Sequence, residues 1–261
     1  MRFLNKEEFE YDPCSRWSIK PKVFKTKFEE TYNLISKIIK SRKWNHDLLG
    51  ISLTFYHYFL YFKDFREIDP YEISVCCIYL TNKIQFMHYG LDFFIKIYNE
   101  INEKKKNSQP DFIKLEIEMY TKLGYDLQIK TPYSIYYDYI IKKNNYDENK
   151  ESIRKNFLFN LINDTYRKSI CLYFHPKIIM ISCLIYTNKF LEMDDENLNE
   201  IINGEDLDLI AECMDKIYDI FKEAINENDN NNNNNNNNHL NNINNEINNN
   251  SNKNNNNNNN N

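Results

Sequence analysis

Two stretches decide the fold. Pro70-Tyr-Glu-Ile-Ser-Val-Cys-Cys-Ile-Tyr-Leu-Thr-Asn-Lys83 lies without a gap on Pro176-Lys-Ile-Ile-Met-Ile-Ser-Cys-Leu-Ile-Tyr-Thr-Asn-Lys189, 106 residues further on. Six of the fourteen positions are identical: Pro70/Pro176, Ile73/Ile179, Cys77/Cys183, Thr81/Thr187, Asn82/Asn188 and Lys83/Lys189. Each stretch opens at a proline, which the first turn of a helix tolerates because its N–H would have no partner there. Each is apolar nearly all round and ends in a polar Thr-Asn-Lys. A helix apolar on every side is one enclosed by its neighbours. The repeat therefore predicts two similar helical domains, each wrapped around one buried helix.

The flanking sequence reads the same way. Phe28, Tyr32, Ile35 and Ile39 follow the spacing of an amphipathic helix, as do Phe112, Leu115, Met119 and Leu123, and Leu207, Ile210, Met214, Ile217 and Phe221. Asp69 before Pro70 and Thr131 before Pro132 offer capping oxygens. Ser108-Gln109-Pro110 and His175-Pro176 are weaker versions of the same start signal. Gly124 and Gly204 mark helix ends. No run alternates strictly with period two. The chain has only 4 Gly in 261 residues, which argues against hairpins and against glycine-rich phosphate loops. The fold class is all-α.

The domain limits that follow are an N-terminal segment 1–24, a first domain 25–130, a second domain 131–226 and a tail 227–261. The tail is almost wholly Asn, too polar to offset the entropy of ordering it, and is expected to be disordered. The 41% of apolar residues suffices for a sizeable core in the rest. With 33 Lys and Arg against 38 Asp and Glu, the net charge is −5, which excludes strong non-specific affinity for nucleic acid. Cys14, Cys76, Cys77, Cys171, Cys183 and Cys213 form no CxxC pair and sit mostly in apolar runs, as buried thiols of a reducing compartment do. No His pair has i,i+4 spacing, and no HExxH occurs, so no metal or cofactor is expected. The start MRFLNKEEFEYDP lacks an apolar signal core, and no stretch reaches the roughly 18 apolar residues of a membrane span. A soluble intracellular protein is the expectation. Lys104-Lys105-Lys106 reads as a solvated loop, Trp17 as the packing point of an N-terminal segment, and Trp44 as another between the first two helices.

Against this frame, several strings resemble the cyclin family, whose members carry two tandem cyclin boxes. Thr54-Phe-Tyr-His-Tyr-Phe-Leu-Tyr-Phe62, then Ile68-Asp69-Pro70 and Thr81-Asn82-Lys83, is similar to the second and third helices of the first box. Glu116 through Leu123-Gly124-Tyr125-Asp126-Leu127, then Thr131-Pro132-Tyr133, is similar to the fifth helix and the link after it. Asn163-Asp164-Thr165-Tyr166-Arg167, then Cys171-Leu172 and Pro176, resembles the second box of the transcriptional cyclins of the C, K, T and L types. It is the most specific of these strings. The resemblance runs from about Trp17 to Ala224, and the first-helix hydrophobic-patch motif of the cell-cycle cyclins is missing.

The resemblance implies a non-catalytic subunit that binds a cyclin-dependent protein kinase as a heterodimer, within a larger transcription complex. The kinase would act in the nucleus in transcription by RNA polymerase II, with no direct nucleic-acid or membrane contact by this chain. In the family, a Lys ending the third helix and a Glu on the fifth reach the kinase's regulatory helix and hold its catalytic Lys–Glu pair in place. By position these are Lys83 and Glu116, with Glu118 a competing choice, and the apolar neighbours are Ile84, Tyr120 and Tyr125. Lys83 also fits a plain helix-end cation, and Lys189 holds the matching place in the second domain. The chain departs from the family's Glu-rich turn in having Ile84-Gln85-Phe86 after the Lys. Two other readings stay open. A general transcription factor of the TFIIB type has two cyclin-like domains, but with a basic surface and a zinc ribbon, against a pI of about 5.7 and a lone Cys14 here. A cyclin-fold scaffold that does not activate its kinase is the other.

Overall fold

Several helix starts are set by side-chain caps. The Asp69 carboxylate accepts from the Tyr71 and Glu72 amides and opens a helix at Pro70. The Thr131 hydroxyl accepts from the Ser134 amide at 3.2 Å ahead of Pro132. Nδ1 of His175 accepts from the Lys177 amide at 3.2 Å ahead of Pro176. Each cap satisfies one or two of the donors that a helix N-terminus leaves unpaired. The start expected at Ser108–Pro110 lies outside the described residues; within them a helix begins at Phe112, and Asp111 caps it by accepting from the Lys114 amide at 3.0 Å.

The computed structural model describes residues 17–67, 69–102, 111–123, 128–141, 147–195 and 197–223. Cys14, the Lys104–Lys106 cluster, Gly124, Tyr125 and the tail 227–261 lie outside them. The helices are α1 (Pro21–Ser41), α2 (His46–Phe62), α3 (Pro70–Ile84), α4 (Leu91–Ile101), α5 (Phe112–Leu123), α6 (Pro132–Ile141), α7 (Glu148–Thr165), α8 (Ile170–Tyr173), α9 (Pro176–Phe190) and α10 (Leu198–Ile202), with a 3₁₀ turn at Phe65–Glu67. A further helical run, α11, spans 207–223. No strand occurs among the described residues, and none of their helices is long and apolar enough to cross a membrane. Two compact units divide the chain, Met1–Lys216 and Ile217–Asn261; of the second only 217–223, all helical, are described.

Within the first unit, α3 packs on α1, α2, α4 and α5, and every residue from Ile73 to Asn82 is buried. Its counterpart α9 packs on α6 and α7 and is buried from Ile178 to Leu184. The repeat is therefore one of backbone as well as of letters. Both helices carry proline in the first turn, and the Thr81 and Thr187 hydroxyls each donate at 2.8 Å to the carbonyls of Cys77 and Cys183. Two tandem helical sets, each around one enclosed helix, make the cyclin-box all-α fold. Phe28, Tyr32, Ile35 and Ile39 are all buried, as are the thiols Cys76, Cys77, Cys171, Cys183 and Cys213. Of the stripe expected on α11, Ile210 and Ile217 are buried, as is Cys213, whereas Leu207 is 66% exposed. The indole of Trp17 donates to the Leu60 carbonyl at 3.3 Å, tying the N-terminal segment to α2. Trp44 packs on Tyr89 and Phe93 at the start of α4, past the first two helices.

A third enclosed helix, α2, is buried from Leu48 through Leu60, because it packs on α1 and α3 on one side and on α6 and α8 on the other. Hydrogen bonds fix this junction. The Tyr32 hydroxyl donates to the Asn163 carbonyl at 3.1 Å and the Tyr133 hydroxyl to the Asn163 side chain at 2.7 Å. His57 Nε2 donates to the Tyr166 carbonyl at 2.9 Å. The Thr131 hydroxyl donates to Asp47, and Arg167 pairs with Glu29 at 2.7 Å while lying over the Tyr32 ring. Gly50 marks the closest approach, since a Cβ there would stand 2.8 Å from the Tyr166 hydroxyl.

Candidate functional site

The end of α3 and the exposed side of α5 meet at one ion pair. Lys83 lies in the last turn of α3, where a cation is favoured by the helix dipole. Its Nζ donates to Glu116 Oε1 at 2.5 Å and sits 4.6 Å from the centre of the Tyr79 ring. The two partners differ in exposure: the Lys83 side chain is 42% exposed, that of Glu116 9%. Partial burial acts to lower the Lys83 pKa, but hydrogen bonds to Glu116 and Tyr79 outweigh it and raise the value. Tyr120, one turn beyond Glu116, hydrogen-bonds the same carboxylate. Burial first, and then that negative charge, push its phenol up to about 12.

The structure distinguishes between the two candidate glutamates. Glu118 pairs with Lys63 at the end of α2, at 2.8 Å, and takes no part in the Lys83 cluster. Residues two apart on a helix point about 200° from one another, so Glu116 and Glu118 serve opposite sides of α5. Ile84 is half-buried beside Lys83, and Tyr120 is half-buried on α5. Tyr125 lies outside the described residues. Lys83, Glu116 and Tyr120 are thus brought together in one contact cluster.

Three apolar residues that the sequence reading passed over belong to the same elements. Ile113 and Ile117 on α5 are 52% and 58% exposed. With Glu116 and Tyr120 they fall within a sector of about 100° of that helix. Phe86, two residues past the end of α3, is 85% exposed. Exposed isoleucines at i,i+4 spacing were readable in principle, but the stripe through Phe112, Leu115 and Met119 claims the same helix for the core. Phe86 carried no comparable signal.

The second set of helices lacks the pair. Asp206 caps α11 by accepting from the Leu209 amide at 3.2 Å, as Asp111 caps α5 through Lys114 at 3.0 Å. Counting from these matching caps, Glu116 corresponds to Ala211 and Met119 to Met214. Lys189 repeats Lys83 in sequence, without a carboxylate at the matching place. Among the described residues, no group of three His, Cys, Asp or Glu is gathered as for a metal ion.

Comparison with known proteins agrees with this architecture. No family model matches the chain. Cyclin-K of Danio rerio is 20% identical over 196 residues, which cover 69% of this chain and 46% of that relative. Cyclin-C1-1 of Arabidopsis thaliana is 23% identical over 194 residues, covering 73% of this chain and 74% of the relative. The chain thus spans about half the length of the cyclin-K relative, and most of the cyclin-C one. Among solved structures, a chain in the crystal structure of the yeast RNA Pol II CTD kinase CTDK-1 complex has the same fold. It matches with a TM-score of 0.70 at 13% identity, over 85% of this chain and 73% of that one. In sequence the chain is similar to cyclins of the K and C types, and in fold to a chain of that kinase complex.

Proposed function

We propose that this chain is the activating regulatory subunit of a cyclin-dependent protein kinase that acts in the nucleus on transcription by RNA polymerase II. It has no chemistry of its own in this reading. It works by holding the kinase's regulatory helix where its Glu pairs the catalytic Lys, a condition for aligning the phosphates. Lys83 and Glu116 offer a donor and an acceptor to that helix, and Ile84, Tyr120 and Tyr125 supply apolar contact around them. The same fold relation supports two tandem boxes, with limits near 25–130 and 131–226.

The observation that carries this reading is the Lys83–Glu116 pair at 2.5 Å, present in the first set of helices and replaced by Lys189 with Ala211 in the second. A purely structural cation–carboxylate clasp between third and fifth helices would suit both sets equally. Its restriction to one set, beside exposed Ile113, Ile117 and Phe86, fits a contact made for a partner.

The test is a tagged pulldown with a kinase assay on the eluate, followed by identification of the kinase. Wild type is compared with the exchange Lys83→Glu/Glu116→Lys. The exchange keeps an internal ion pair but reverses its polarity towards a partner. Recovery of an active cyclin-dependent kinase by wild type, and at least a tenfold loss with the exchange, is expected. Equal recovery by both would remove Lys83 and Glu116 from the docking site; recovery by neither would remove the kinase reading.

A further inference from the structure

The end of α3 is a Schellman turn, and the residue at its left-handed position is a phenylalanine. The Gln85 amide donates to the Thr81 carbonyl at 2.9 Å, Phe86 to Lys83 at 3.3 Å and Met87 to Asn82 at 3.0 Å. This closure requires a positive φ at the next-to-last residue, which Phe86 supplies at 50°. Glycine enters that region freely; a side chain with a Cβ is strained there.

Two more turns of the chain close in the same way. After α1, Trp44 donates to the Ile39 carbonyl at 3.1 Å, with Lys43 at φ 55°. After α9, Met193 donates to Asn188 at 2.9 Å, with Glu192 at φ 52°. This glycine-poor chain thus puts other residues at all three left-handed positions. At the other two they are charged, as suits a site in water. At the third stands an aromatic ring that is 85% exposed. The ring contributes little to the core, and the turn would close better with glycine.

What the arrangement does provide is a mount. The turn around Phe86 is held by the amides of Gln85, Phe86 and Met87, which donate to Thr81, Lys83 and Asn82 in the last turn of the helix that carries the Lys83 ammonium. A ring with two rotatable bonds on a fixed turn loses little entropy when it is buried by a partner. Such rings are the usual anchors at the centre of an interface.

We propose that Phe86 is an anchor by which this chain selects its kinase. Its ring seats in an apolar recess of the kinase lobe beside the regulatory helix that Lys83 and Glu116 engage. The inference rests on the docking reading above and adds a specificity element to it: kinases with a charged or filled surface at that place are refused.

The experiment uses the kinase identified with wild type, purified, and measures its Kd for the full chain and for variants. Phe86→Gly deletes the ring and relieves the backbone at once, so its Tm should hold or rise by about 1–4 °C. Its Kd should weaken at least tenfold. Phe86→Lys, which copies the turn at Lys43, should weaken binding similarly with the turn intact, and Phe86→Leu should retain most of the affinity. Glu192→Gly gives the same backbone relief in the second set of helices and should leave Kd unchanged. Binding of Phe86→Gly and Phe86→Lys within twofold of wild type would overturn the anchor while leaving the docking reading standing, provided the Lys83/Glu116 exchange still loses the kinase. If wild type binds no kinase, both fall.

Discussion

The unequal burial of the two partners predicts that removing Lys83 harms the isolated chain more than removing the charge of Glu116. Lys83→Met keeps most of the side-chain stem and deletes only the cation. It leaves the Glu116 carboxylate, 9% exposed, between α3 and α5 with the Tyr120 hydroxyl as its remaining partner. A buried acceptor deprived of a partner costs about 1–3 kcal/mol, and a charged one more. The lower half of that range applies, because Tyr120 stays and because the space vacated by a 42% exposed Lys admits water. About 1–2 kcal/mol, or a Tm lower by roughly 2–8 °C for a chain of this size, is the expected loss. Glu116→Gln keeps the shape and a hydrogen bond to Tyr120, and frees an ammonium that already faces solvent and the Tyr79 ring. Its cost should stay below about 0.5 kcal/mol, as for most exposed pairs. The double variant should be more stable than Lys83→Met alone, since it removes the stranded charge, and the coupling in the cycle should be near 1 kcal/mol. Thermal and urea unfolding followed by circular dichroism, without any kinase, measures all four proteins. A Glu116→Gln variant as unstable as Lys83→Met would refute the asymmetry, and so would a double variant that is the sum of both losses.

Two further expectations concern the body of the fold. His57 is 4% exposed, and burial holds its pKa near 4, against an ordinary 6.5. A lowered histidine stabilises the fold fully above the unfolded value and loses that contribution as pH falls from about 6.5 towards 4. Stability should therefore drop by about 2 kcal/mol between pH 7.5 and 5, and His57→Gln should flatten that part of a Tm-against-pH curve. Arg154, 5% exposed, donates to Glu151 at 3.2 Å and to the fully buried Asp195 at 2.9 Å. Arg154→Met takes the guanidinium away from both carboxylates, leaving Glu151 the Tyr136 hydroxyl and Asp195 the Asn197 amide, and should cost about 3–5 kcal/mol by urea unfolding, whereas a loss under 1 kcal/mol would mean that water replaces the guanidinium.

How far the sequence could be read depends on the range of the interaction that carries each feature. The ends of α3 and α9 were legible because their causes are local: a capping side chain, a proline and a terminal Thr-Asn-Lys, repeated 106 residues apart. Asp111 was passed over as a cap although it stands directly before the helix that opens at Phe112. On α11 a periodicity of 3.6 fixes spacing and leaves the phase loosely set: Ile210 and Ile217 of the expected stripe are buried and Cys213 joins them, whereas Leu207 at its start is exposed. The choice between Glu116 and Glu118 required knowing that Lys63 and Lys83 flank α5 from different sides. The junction needs pairings as distant in the chain as Asp47 with Thr131 and Glu29 with Arg167, which no local pattern predicts. It does explain why Asn163-Asp164-Thr165-Tyr166-Arg167 resembled the cyclins so specifically. Asn163, Tyr166 and Arg167 each bond to the first set of helices or to the helix after the link, so this string is constrained from outside its own helix.

The two halves of the repeat then separate what the fold needs from what the surface does. Proline at the helix start, Thr81/Thr187 bonded back to the preceding turn, buried Asn82/Asn188 and a left-handed turn after the helix occur in both. All of these are conditions for enclosing one helix among its neighbours and leaving it cleanly. The positions that differ are solvent-facing or paired across elements: Glu116 against Ala211, and Phe86 against Glu192. Had Lys83 served only as a favourable charge at a helix end, Lys189 would do the same work, and no carboxylate would need to be buried on α5 to meet it. A 9% exposed Glu116 and an 85% exposed Phe86 both run against the ordinary preference of their side chains, and they do so within a few residues of the same ammonium. Departures of this kind, concentrated at one end of one helix and missing from its twin, are what a docking surface would leave on a repeated fold.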